Sequence, residues 1–223
     1  MDYNYIDCND DLYGELFDSY NNAPEKLYYL GDVNILRGPV TAVIGKRDTK
    51  LRKIANQFGE LVVANGNTLL NGFALGCDSF AIQGALSSGG KVIAVLPCGI
   101  NSIYPARNSL LARDIVSSGG CIISQFEPNY QVTKHSFIER DRLLAILAYN
   151  LLVVDSEVNG GTMHTVKFAK KYGKNIGCYT DSEGRTPAGN QYMLDKMDAV
   201  SIRCQRDLNS FLLRQNYCQL TIF

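Results

Sequence analysis

From residue 40 onward, short apolar runs alternate with segments whose apolar residues recur at helical spacing, and this alternation leaves few folds open. Val40–Ile44 is a strand-like run that stops at Gly45. Leu51, Ile54, Ala55, Phe58, Leu61 and Val62 then recur with helical period. The period makes Leu61–Val63 helical, although three such residues also suit a strand, and Asn65-Gly66 closes the helix. Further strands are expected at Thr68–Leu70, Lys91–Leu96, Cys121–Ser124, Leu151–Val154 and Asn175–Tyr179. Helices are expected from about Asp78, and over Asn108–Ser117, Phe137–Ala148 and Thr162–Tyr172. Nearly continuous apolar strands are buried on both faces. The chain is therefore expected to be α/β: a doubly wound, mostly parallel sheet with helices on both faces.

Residues 1–23 stand outside this pattern. They hold six acidic residues and no Lys or Arg, and Asn21-Asn22-Ala23-Pro24 reads as a break. A short acidic amino-terminal segment over 1–23 is expected, then one domain over 24–215 and a tail over 216–223. Leu12, Tyr13, Leu16 and Phe17 suit one or two amphipathic turns. The whole chain has no net charge, so the remainder carries +6. That mild excess permits a polyanion partner without demanding one. An acidic segment facing a basic body also suits a cover over such a site. The seven scattered cysteines include no CxxC pair, which points to buried thiols in a reducing cytoplasm and away from a zinc site. No metal and no cofactor are expected. No apolar run approaches the ~20 residues of a membrane-spanning helix, and the polar start is unlike a signal peptide.

In a doubly wound sheet, ligands bind beyond the carboxyl ends of the strands. Four segments there carry chemistry. Gly45-Lys46-Arg47 leaves a strand toward a helix, where a glycine, helix amides and two cations suit a phosphate. Asn71–Gly76 is a glycine loop containing Gly72, Phe73 and Gly76, and Asp78 after it suits an N-cap. The loop is neither a P-loop nor a dinucleotide fingerprint. Lys134, Phe137, Arg140 and Arg142 form the densest cluster. Its arginines can fork onto phosphates and Phe137 can stack on a base, or the charges pair among themselves and Phe137 joins the core. Gly160-Gly161-Thr162 opens a helix whose free amides suit an anion. Glu157, just before it, is either a general acid/base or a solvated loop carboxylate. His135 has no evident Ser or Cys partner, so no catalytic residue is assigned.

These loops, in this order, resemble the DprA/Smf family of DNA-processing proteins over roughly 24–213. AVIGKR resembles V-G-S-R, with Lys46 in place of the small residue. NGFALGCDSFAIQGAL resembles S-G-x-A-x-G-I-D-x-x-A-H-x-G-A-L, with Gln83 for histidine. VIAVLPCGINSIYPARNSLL resembles the family's A-V-L-x-x-G-x-x-x-x-Y-P-x-x-N, and ISQFEP stands where the family has S-E-x-P. FIERDRLLAIL resembles F-x-x-R-N-R-x-I-x-x-L, with Asp141 for asparagine, and NGGTMHTVKFA fits S-G-S-x-x-T-A-x-x-A. The resemblance implies a Rossmann-like fold. It also implies a non-enzymatic, cytoplasmic protein that binds single-stranded DNA, dimerises, and loads a RecA-type recombinase during DNA uptake in natural transformation. The DNA would run over Arg47, the Gly72–Gly76 loop, Lys134, Phe137 and Arg140, with Gly160–Thr162 nearby. A minimal core is expected, without a carboxyl-terminal winged helix. The wider superfamily supplies the alternative, a LOG-like nucleotide sensor or phosphoribohydrolase, which Arg140 and NGGT partly resemble.

Overall fold

The computed structural model describes residues 3–220. Its sheet grows outward from β3 (Val40–Gly45) through β4 (Thr68–Asn71) and β5 (Val92–Val95) to β6 (Cys121–Ser124), all parallel. The chain then crosses back to lay β7 (Asn150–Asp155) on the other side of β3, and continues to β8 (Asn175–Tyr179) and β9 (Val200–Ile202). All four residues of β5 and of β6, and all six of β7, are buried, as strands covered on both faces must be.

The covering helices fall into two layers. On one face α2 (Arg52–Ala64), α3 (Cys77–Ser87), α4 (Ser109–Ser117) and α8 (Gln205–Leu220) contribute Phe58, Ile82, Ile115 and Phe211 to one core. On the other, α5 (Lys134–Leu147), α6 (Thr162–Lys171) and α7 (Ala188–Lys196) contribute Leu143, Val166 and Met193. This is the doubly wound arrangement the alternation predicts, and the Rossmann-like fold the resemblance implies. Leu61–Val63 is helical, as its period requires. Strand order reverses between β3 and β7, and the crevice beyond their carboxyl ends is where such sheets bind ligands.

The amino terminus differs from expectation. Residues 4–17 are part of the fold, not an appendage. β1 (Asn4–Asp7) pairs antiparallel with β2 (Lys26–Gly31), which pairs antiparallel with β6, so two strands extend the parallel sheet to a nine-stranded one. Ile6, and Leu12 and Phe17 of α1 (Asp11–Phe17), are buried in the same core as Leu143. The acidic residues are simply the solvent side of an amphipathic helix and an edge strand, which a count of charge does not distinguish from a tail. At the other end, 216–220 complete α8, and 221–223 lie outside the described residues. Among the described residues, four cysteines are buried thiols, but Cys8 and Cys204 are exposed. Among the described residues, no helix is long and apolar enough to cross a membrane.

Candidate functional site

A cleft of about 620 Å³ opens at the strand-order reversal. Its first wall is the turn after β3. Lys46 N–H donates to the Asp155 carbonyl at 3.0 Å, tying this turn to the end of β7. Arg47 is exposed, with its guanidinium 5.2 Å from the Phe137 ring centroid. Lys46 is already engaged: its Nζ lies 3.4 Å from Glu157 and 4.0 Å from Asp48. Asp155 above all holds its ammonium above the ordinary lysine range; burial opposes it, and Glu157 and Asp48 add to the rise.

The opposite wall is the start of α5, set by a reciprocal cap. Ser136 N–H donates to Thr133 Oγ1 at 3.1 Å, and Thr133 N–H donates to Ser136 Oγ at 2.9 Å. The cap fixes Lys134 on the exposed first turn and turns Phe137 into the cleft, half-buried. The Phe137 ring also meets Tyr104 edge-on, with centroids 5.9 Å apart, so it divides the main cleft from a smaller one of about 50 Å³. Gly160, Gly161 and Thr162, at the start of α6, close the third side.

The floor carries buried charge of both signs. The Arg140 side chain is only 8% exposed. It donates from Nη1 to the Gly72 carbonyl, and its Nε lies 3.0 Å from Asp141 Oδ1. A Cβ at Gly72 would collide with that guanidinium, so glycine there makes the clamp feasible. Asp78 is buried and lines the same floor. Its carboxylate accepts from Ala74 N–H at 3.2 Å. Burial pushes the Asp78 carboxyl up to about 6, against the pull of Arg140. Burial likewise raises Asp141, with Arg140 and then His164 opposing.

The structure therefore brings together Gly45, Lys46, Arg47, Gly72, Lys134, Phe137, Arg140, Gly160, Gly161 and Thr162. Three expected residues lie elsewhere. Arg142 points away: it donates to the Asn22 carbonyl at 2.6 Å and pairs with Glu139, because two helix positions beyond Arg140 lie on another face. Phe73 is fully buried in the core, and its N–H is consumed by Asn71 Oδ1 at 3.0 Å. Gly76 lies behind the cleft, at φ +79°, where a Cβ would strike the Arg47 carbonyl; its role is to let two loops touch. Nor is Asp78 an N-cap. It sits inside α3, with Gly76 at the cap position, and it ties the loop to the helix. No residue of 3–23 lines the cleft, so the acidic segment does not cover it. Asp78, Asp141 and His164 are site residues that the motif reading missed; only the departure at Asp141 drew notice.

A family model for DNA recombination-mediator protein A matches residues 4–213. The chain belongs to this DprA/Smf family. DprA of Streptococcus pneumoniae is 29% identical over 169 residues, 75% of this chain and 59% of that protein. Smf of Escherichia coli is 26% identical over 199 residues, 88% of this chain and 53% of that protein. The chain thus spans little more than half the length of these DprA/Smf relatives. The solved DprA of Helicobacter pylori, described as binding single-stranded DNA, superposes with a TM-score of 0.83 at 27% identity and covers 96% of each chain. The match starts at residue 4, in keeping with the paired β1 strand.

Proposed function

We propose that this DprA/Smf chain binds single-stranded DNA, with Arg47 and Lys134 on the backbone phosphates and Phe137 stacking on a base. The observation that carries this reading is the pairing pattern of the cleft. Lys46 and Arg140 are held by carboxylates, whereas Arg47 and Lys134 form no ion pair among the described residues and stand exposed at the cleft that Phe137 also lines. Two free cations and an accessible ring in one cleft match the chemistry of a single strand, which offers phosphates and unstacked bases together. The family membership and the H. pylori relative support the same reading.

The finer parts of the proposal rest on family membership. The protein acts without catalysis, as a cytoplasmic homodimer, and hands the strand to a RecA-type recombinase in DNA processing or uptake. The nucleotide-hydrolase reading loses ground at Glu157, whose carboxylate is exposed and spent on Lys46.

Alanine substitution separates the residues. Arg47→Ala or Lys134→Ala should weaken oligonucleotide binding about five- to tenfold for all sequences alike and lower the salt slope by about one. Arg142→Ala should leave affinity unchanged. Equal affinities across the whole set, measured by fluorescence anisotropy, would contradict the proposed interface.

A further inference from the structure

We infer that Asp141, helped by Asp78, keeps the Arg140 guanidinium from serving an anion, so that the cleft takes up a proton when a polyanion binds and holds it more tightly in mild acid than at neutral pH. The inference rests on the reading of the cleft as a polyanion site. It adds a regulation that the binding residues alone do not supply.

The geometry is that of one cation paired with one carboxylate, Asp141, above a floor that a second, Asp78, also lines. Arg140 is nearly sealed from solvent and Asp141 is 14% exposed, 3.0 Å away through Nε and Oδ1. Asp78 reaches the same floor from α3, buried, and both carboxyls line the cleft with Arg140. With both ionised, this floor is net negative beneath a site that must accept phosphates. Coulomb repulsion at such range in a partly desolvated cleft is not screened away as it is on an open surface. Protonating one carboxyl makes the floor neutral and leaves the guanidinium short of a partner. Burial moves both carboxyls upward, Asp78 to about 6, where mild acid protonates it. An arriving phosphate pushes in the same direction, so binding and protonation are linked.

The surrounding groups do not provide the same response. From the turn after β3, Lys46 and Arg47 stay cationic and Asp48 is a well-exposed carboxylate. On β7, Asp155 accepts from Thr49 Oγ1 at 2.6 Å and faces Lys46. Glu157 in the next loop is exposed. Lys134 adds a fixed charge from α5. The histidines are the exception. His164 lines the cleft from α6, and His135 follows Lys134, so both imidazoles must be removed as a cause.

The test uses the full chain and a labelled ~20-mer oligo-dT at constant ionic strength, at about pH 7.5 and about pH 5.8. Wild type should bind about three- to tenfold more tightly at the lower pH, and a His135→Gln/His164→Gln variant should keep most of that gain. Asp141→Asn, the isosteric neutral form, should bind at neutral pH nearly as well as wild type does in acid, and should respond less to pH. A second readout needs neither variant nor ligand: the Asp141 carboxyl carbon, followed by NMR in the free protein, should titrate above the ordinary aspartate range. Binding that ignores pH, an Asp141→Asn response equal to wild type, or an ordinary Asp141 titration overturns the inference alone. Failure of every form to bind the oligonucleotide at either pH overturns the polyanion reading, and the inference with it.

Discussion

Asp78 shows how one side chain can serve structure at a cost. Its carboxylate holds the Ala74 N–H and so pins the Gly72–Gly76 loop, yet it does so buried. Desolvation lifts its pKa to about 6, so the folded protein binds this proton more readily than the unfolded chain does. The sign follows from linkage. A raised carboxyl costs stability above its folded pKa, and the cost fades as pH falls through about 6 toward the unfolded value near 3.8. Asn at this position keeps an acceptor for Ala74 but carries no charge. Asp78→Asn should therefore be more stable than wild type at about pH 7.5, by ~1–2 kcal/mol, with the difference shrinking by about pH 5. Urea melts of both proteins at the two pH values check this, and a constant difference would refute the assignment. Arg140 makes a related point. Two of its three nitrogens are placed against a carbonyl and a carboxylate inside the fold, so its motif position alone does not make it a phosphate ligand.

The elements that shape the cleft are those whose local signals were plain in the chain. The β3 run ending in Gly45 and the β7 run ending in Asp155 read as buried strands, and together they define the reversal where the cleft lies. Thr133 and Ser136 form a cap whose T-x-x-S spacing precedes the apolar part of α5 but escaped notice, so the helix was expected three residues late, from Phe137. Apolar β2 (KLYYLG) and β1 also went unread, because antiparallel partners at a sheet edge break the strand–helix rhythm. Motifs placed the glycine loop near the site, but not which of its parts face the cleft. That depends on Asn71, Asp78 and Asn108, which draw its polar groups inward: Asn108 Nδ2 donates to the Phe73 carbonyl at 3.0 Å. Gly76 is where this loop presses on the Arg47 turn. Gly76→Ala combines a strained φ with a clash against backbone, and should cost ~2 kcal/mol in denaturant unfolding and weaken DNA binding through Arg47. Wild-type stability in this variant would mean that the two turns are not packed as described.

At the scale of the whole molecule, one sheet carries two halves around the reversal, and the acidic amino terminus is built into its edge. Charge segregation suggested a cover for a basic site, and packing shows a structural role instead, since Phe17 is 1% exposed among core residues. Phe17→Ala should lower stability by about 3–5 kcal/mol, read by thermal or denaturant melts. Deleting residues 1–20 should destabilise the chain without tightening DNA binding; a stable truncation with higher affinity would restore the cover. The central claim concerns the cleft itself, where family membership, two unpaired cations and an accessible ring converge. The most direct test is anisotropy of a labelled ~20-mer oligo-dT at about 50 mM and about 200 mM salt, with AMP as competitor. The account predicts binding that falls steeply with salt and that excess AMP does not displace. No binding would contradict it, and ready displacement by AMP would assign the cleft to a mononucleotide.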